Sequence, residues 1–264
     1  MGRPLRIRFY EPNTAIHVMS KTAGGYFLLK PDYVKKHFLY LLKTLLQAFS
    51  FELISFSIMN NHFHLLLKAK DINYLSDNEI LEKAQKAGIY KRLLFTKDIA
   101  TLRKKLSDLS EFMKNLKERF SKWFNKTFNR YGYFWGGRYK NVIIENGESL
   151  EICKNYIEMN PVNAGIVDSP EKYKFSSCGE MGKFMEIENN ENKKQKNYEL
   201  KPEIKEVLEK NEIKQLENGV AFGSLEFIIN FHKKFKNKIR LKKLKNYKHL
   251  TNMKRFFSFT NVRT

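Results

Sequence analysis

The sequence is short of cysteine, of acidic residues and of long apolar runs. Two cysteines in 264 residues, Cys153 and Cys178, build neither a disulfide framework nor a four-thiolate zinc site. A reducing, cytoplasmic setting is therefore expected. Apolar runs such as Leu65 to Leu67 fall far short of the roughly 18 residues that a membrane span requires, so no membrane-embedded role is expected. Met1 to Arg8 carries bases with no apolar stretch behind them, which does not read as a secretory signal. No P-loop, Rossmann glycine fingerprint or Gly-x-Ser-x-Gly elbow occurs in the strand and helix context it would need. Acids number 28 against 49 Lys and Arg, a formal net charge of +21. That imbalance calls for a polyanionic partner, nucleic acid before an anionic membrane surface. Disorder over the whole chain is excluded by 42% hydrophobic and 14% aromatic residues.

The excess charge is concentrated. Residues 231–264 hold twelve Lys and Arg and no acid, and Lys233, Lys234, Arg240, Lys242 and Lys243 there are candidate phosphate contacts. Upstream, the polar stretch Glu188 to Asn197 reads as a linker. The expected organisation is a domain over residues 1–180, a linker over 181–200 and a basic, helical or partly disordered extension over 201–264.

Within the first domain, strand and helix patterns alternate. Thr14 to Ser20 reads as a strand. A helix should start near Pro31, with Val34, Phe38, Leu41, Leu42, Leu45 and Phe49 on one face. In Phe51 to Ile58, Ile54, Phe56 and Ile58 alternate with Leu53, Ser55 and Ser57; after a turn at Met59 to Asn61, His62 to Lys68 completes a hairpin. Residues 71–107 look like a partly helical insertion. A helix over about 106–128, a strand over 139–145 and a helix over 148–160 follow, the last capped by Ser149 and ended by Pro161. The order β-α-β-β-α-β-α predicts an α+β fold, an antiparallel sheet with helices packed on it.

Four groupings can carry chemistry. His62 and His64 are i and i+2 on a strand, so both imidazoles project from one face while Phe63, Leu65 and Leu67 point into the core. Paired neutral imidazoles bind divalent metals, although a pair of satisfied strand histidines has the same spacing. Tyr156 and Asn160 are i and i+4 on one helix face. A phenol can act as a nucleophile and an amide oxygen as a hard metal ligand; a packing tyrosine and a helix-ending asparagine look the same. Tyr133 to Lys140 mixes aromatics with Arg138 and Lys140, as in a base-stacking surface or in a glycine turn with its aromatics tucked into the core. The basic tail is the fourth. His17 reads as structural or as a neighbour of the site, and Cys153 as core.

Taken together, these motifs resemble a known family. Met59-Asn60-Asn61-His62-Phe63-His64-Leu65-Leu66-Leu67 and Tyr156-Ile-Glu-Met-Asn160-Pro161-Val162-Asn163-Ala164-Gly165-Ile166-Val167 are similar to the two signatures of the single-tyrosine HUH (His-hydrophobic-His) transposases, in the insertion-sequence and REP-associated branches. Arg3 to Ile7, His17-Val18, Trp135 to Lys140 and Ser176-Ser177 match in the same order. Asn60 stands where the family usually has proline, and Asn163 where arginine is common. The resemblance implies a ferredoxin-like, HUH endonuclease-type fold. It also implies that His62, His64 and Asn160 hold one Mg²⁺ or Mn²⁺, and that Tyr156 attacks single-stranded DNA beside a hairpin to leave a 5′-phosphotyrosine link. It makes the chain a prokaryotic DNA transposase acting as monomer or homodimer. Two other readings remain: a non-catalytic DNA- or RNA-binding protein on the same scaffold, and a metal-dependent nuclease that uses water.

Overall fold

The computed structural model describes residues 10–96, 98–186, 210–218 and 221–235. Residues 9–222 form one compact unit; what is described beyond it starts at Gly223 and belongs to a second.

The hairpin expected from the sequence forms the middle of the sheet. β2 (Phe51–Ile58) and β3 (His62–Ala69) pair antiparallel, β3 pairs with β1 (Ala15–Lys21), and β1 pairs on its other side with β4 (Lys140–Ile144). A two-residue strand, β5 (Ala221–Phe222), lies parallel to β4, giving the order β2-β3-β1-β4-β5. The outer edge of β2 is covered as well: the Ile58 amide donates to Phe175 O and the Ser177 amide to Phe56 O, at 2.9 and 3.0 Å.

One face of the sheet carries Ile16, Val18, Phe56, Ile58, Phe63, Leu65 and Leu67. It is covered by α1 (Asp32–Ala48) and α5 (Leu109–Thr127), whose apolar residues recur at helical spacing. β1, α1, β2, β3, α5 and β4 thus realise the β-α-β-β-α-β plan of a ferredoxin-like α+β fold. Phe120 is central to this layer, packing edge-on against Phe38 and Phe134 at ring separations of 5.3 and 5.0 Å. The other face carries Ala15, Met19, Leu66, Val142 and Ile144. There it meets α6 (Glu148–Asn163) and α8 (Lys210–Asn218), which supply Cys153, Tyr156, Ile157 and Leu216.

The structure adds detail to some expectations and corrects others. Residues 71–107 hold three helices, α2 (Asp77–Lys86), α3 (Lys91–Thr96) and α4 (Ile99–Leu106). They are integral to the main core, to which they contribute Ile80, Ala84, Leu102 and Leu106. Their short, lysine-rich apolar stripes hide this role in the sequence. Strict alternation fails in β2, where a bulge between Leu53 and Ser55 sends Ile54 to the α6 face while Phe56 and Ile58 stay in the main core. α6 starts after Gly147, whose φ of 92° suits glycine, so Ser149 lies inside the helix and caps nothing. The helix also runs past Pro161 to Asn163. Near the end of a helix the lost amide costs one hydrogen bond and need not end the element. α7 (Glu180–Glu186) occupies the start of the expected linker, and α8 and β5, expected in the extension, belong to the sheet unit. In the second unit, α9 (Leu225–Phe235) is capped by Ser224 Oγ, which accepts from the Phe227 amide at 3.2 Å.

Because Phe120 is fully buried, Phe120→Ala should cost about 3–5 kcal/mol in a denaturant titration. Tyr74→Ala, at a side chain 77% exposed, should stay within about 0.5 kcal/mol of wild type.

Candidate active site

The second face of the sheet brings distant residues together. In the β1–β3 register Lys21 lies opposite His62, Met19 opposite His64 and His17 opposite Leu66. Met19, Lys21, His62 and His64 line one small cleft of about 180 Å³, joined by Lys140 from β4, Asn160 from α6 and Glu217 from α8. Tyr156 stands beside it with its ring edge-on to His64, centroids 5.7 Å apart. α6 is seated on β2 by the buried carboxylate of Glu158, which accepts from Ser55 Oγ at 3.2 Å and Ser177 Oγ at 3.0 Å. That contact sets the rotation of α6 and hence the direction of Tyr156, two residues earlier.

The hydrogen bonds decide what the histidines offer. A carbonyl oxygen only accepts, so His17 Nδ1 carries the hydrogen in its 3.0 Å bond to Leu216 O. His17 is wholly buried, and burial pushes its pKa down to about 4, with the Leu216 hydrogen bond pulling partly the other way. A neutral His17 accepts at Nε2, so in the 2.9 Å contact with His64 Nδ1 it is His64 that donates. His64 is left with a lone pair on Nε2. His62 Nδ1 faces Asn61 Oδ1 at 2.7 Å, which likewise leaves its Nε2 as the basic atom. Asn160 Nδ2 donates to Tyr156 O at 2.7 Å, so its Oδ1 remains an acceptor. Two imidazole nitrogens and an amide oxygen on one cleft fit the donor chemistry of a divalent cation. Among the described residues, no three His, Cys, Asp or Glu side chains gather closely enough to hold a metal ion by themselves.

Tyr156 is 6% exposed, and its hydroxyl donates to Glu217 Oε1 at 3.1 Å. Burial first, then the Glu217 charge, push the phenol well above its ordinary range. The hydroxyl is therefore protonated at neutral pH and is already bonded to a carboxylate that can accept its proton.

The structure thus brings His62, His64, Asn160 and Lys140 to one cleft with Tyr156 beside them. Arg138 is exposed on the loop before β4. Lys233 and Lys234 fall in α9, while Arg240, Lys242 and Lys243 lie outside the described residues. Of the aromatics expected to stack bases, Phe134 and Tyr139 are buried, Trp135 donates from Nε1 to Lys117 O at 3.0 Å, and Tyr133 is 88% exposed. Gly136 is required where it stands, because a Cβ there would come within 2.8 Å of Thr22 O. Glu217 and Leu216 were not singled out in the sequence. They lie about sixty residues beyond Tyr156 in a stretch where lysines and glutamates are mixed, and only the fold brings them to it. His17, read as structural or as a neighbour of the site, contacts His64 directly.

The buried histidines imply a pH dependence in metal-free protein. Their folded-state pKa values lie below the unfolded one: His17 and His62 fall to about 4, and His64 well below its usual range, in each case chiefly through burial. The unfolded chain thus binds more protons between about pH 6.5 and 4. Stability is full above that window and drops as pH falls through it, by up to about 1.4 kcal/mol per pH unit for each ring. Urea midpoints between about pH 7 and 5 should show this slope, and His17→Phe should flatten it.

A family model described as "Transposase IS200 like" matches residues 101–160, a span that ends on Asn160 and contains Tyr156. No curated protein matches the chain. Among solved structures, the chain is similar to a REP-associated tyrosine transposase bound to a REP hairpin, at 16% identity, over 67% of this chain and 82% of that one, with a TM-score of 0.45. It is also similar to a transposase-like protein of Deinococcus radiodurans R1, at 18% identity, over 58% of this chain and 95% of that one, with a TM-score of 0.31. The residues matched by the IS200-like transposase model include Tyr156 and Asn160 but not His62 or His64, and they are part of the chain whose motifs resemble that family.

Proposed function

We propose that the chain is a DNA transposase that cleaves and rejoins single-stranded DNA through Tyr156, at sites beside DNA hairpins. The observation that carries this reading is the meeting of Tyr156, His62, His64 and Asn160 at one cleft flanked by Lys21 and Lys140. The lysines place positive charge where a phosphodiester would enter.

In this reading Tyr156 Oη attacks phosphorus in line. A bond forms between the phenolic oxygen and phosphorus, and the bond to the 3′-oxygen breaks. The leaving strand takes up a proton and ends in a 3′-hydroxyl, while the downstream strand stays on the tyrosine as a 5′-phosphodiester. Glu217, already bonded to the phenolic hydrogen, accepts it as attack proceeds. His62 Nε2, His64 Nε2 and Asn160 Oδ1 would hold Mg²⁺ or Mn²⁺, which when bound neutralises charge on the phosphate. The link to Tyr156 preserves the phosphodiester energy, so a second 3′-hydroxyl can reverse the step and join strands without a nucleotide cofactor.

Incubation of the chain with labelled hairpin DNA and Mn²⁺ should give a covalent adduct that maps to the tryptic peptide Asn155–Lys172. Tyr156→Phe should abolish adduct and joining while leaving binding intact. Cleavage by wild type without any trapped adduct would point to a water nucleophile, and DNA binding without cleavage to a non-catalytic protein.

Changes around a metal's own ligands already cost 10–100-fold in affinity or activity. His62→Ala or His64→Ala should therefore lower adduct yield by at least about 100-fold, with hairpin affinity little changed. Equal cleavage rates in EDTA and in Mn²⁺ would remove the cation from the scheme.

A further inference from the structure

Twelve large hydrophobic side chains are exposed among the described residues, and six of them fall on two short segments: Tyr26, Phe27 and Tyr33 on one, Phe128, Tyr131 and Tyr133 on the other. These segments are sewn together. The Ala23 amide donates to Phe134 O at 2.8 Å and the Gly136 amide to Lys21 O at 3.0 Å. Thr22 and Trp135 form an isolated bridge, and the Tyr33 and Phe128 rings stack with centroids 5.9 Å apart. The first segment leaves β1 at Lys21, the residue opposite His62 and part of the cleft lining, so the chain that carries the first group of aromatics sets out from the cleft.

Exposed aromatics gathered in one place mark a binding surface, and the charges around these select among partners. Residues 21–33 and 126–140 contain six Lys and Arg against one acid, Asp32. Lys21, Lys30, Lys126 and Arg138 are exposed, and Arg130 is turned onto Tyr133 O at 3.4 Å. An apolar protein partner would not call for this charge. Flat rings spaced among cations suit a strand that offers bases to stack and phosphates to neutralise. Tyr131 and Tyr133 are 87% and 88% exposed, so their ring faces are open to stacking.

We infer that this surface is a stacking platform for unpaired nucleotides, gripping the single-stranded DNA that leads into the cleft. The inference rests on the proposed DNA chemistry and adds to it the place where the strand is held. Stacking needs the ring face and not the hydroxyl, so phenylalanine should substitute for tyrosine here.

The test uses the full chain and two probes: a bare DNA hairpin, and the same hairpin with a short single-stranded extension carrying 2-aminopurine. Wild type should bind the extended probe more tightly and quench its fluorescence. The double variant Tyr131→Ala/Tyr133→Ala should bind the extended probe about 5- to 150-fold more weakly for each base stack lost, lose the quenching and bind the bare hairpin as before. The corresponding double Phe variant should restore both. The platform is refuted if the Ala variant binds and quenches the extended probe like wild type, or if affinity for both probes falls equally. It is also refuted if the variant loses only its binding to phosphatidylglycerol vesicles. Adduct formation at Tyr156 with no effect of the Ala pair would sink the platform alone. Loss of quenching in the variant, with no adduct ever formed by wild type, would sink the transposase chemistry and leave the platform standing.

Discussion

The antiparallel register that sets Lys21 opposite His62 and Ala15 opposite Lys68 governs both layers of the molecule. It sends His17 and Met19 to the same face as His64 and Leu66, and Ile16 and Val18 to the face of Phe63, Leu65 and Leu67. A slip of one residue would exchange the two sets. If β1 slipped, the core would receive the His17 imidazole, and the cleft would receive isoleucine and valine. The main core, clamped by Phe38 and Phe120, resists that exchange, so burial on one face holds the chemistry of the other in place.

The cleft shows how strand, helix and backbone carbonyl cooperate on one proton arrangement. Leu216 O fixes the hydrogen on His17, His17 fixes the hydrogen on His64, and His64 is left basic toward the cleft. Orientation of this kind by outer partners is what makes an imidazole a defined ligand. The same helix that supplies Leu216 supplies Glu217 to Tyr156. α8 therefore bears at once on the tautomer of a histidine and on the protonation of the phenol.

Much of this was legible in the sequence wherever a periodic pattern coincided with chemistry. The i, i+2 spacing of His62 and His64 and the i, i+4 spacing of Tyr156 and Asn160 were enough to place each pair on one face, and the β-α-β-β-α-β order followed from apolar spacing. The bulge in β2 was not legible, because Ile54 fits the alternation it breaks. The run of α6 through Pro161 was hidden because a proline near a helix end costs little. Nor was the contribution of α8 readable: its apolar stripe is brief, and a glutamate in a run of mixed lysines and glutamates reads as a solvated face. In the Tyr133 to Lys140 stretch the sequence could not separate the rings that fill the core from those that face solvent, since that division depends on which side of the loop meets Thr22.

One border of the sheet is covered in part, and the other is kept short by the two-residue β5. The end of β2 is paired along its outside by residues 175–177, and Ile143 and Ile144 of β4 lie against β5. A bare strand border is a template on which another chain can add itself. Over these stretches the ladder is already satisfied, so a second copy of the chain cannot join by extending the sheet there. The histidines lie on β1 and β3, inner strands paired on both sides, and are shielded from the runaway strand pairing that leads to fibres.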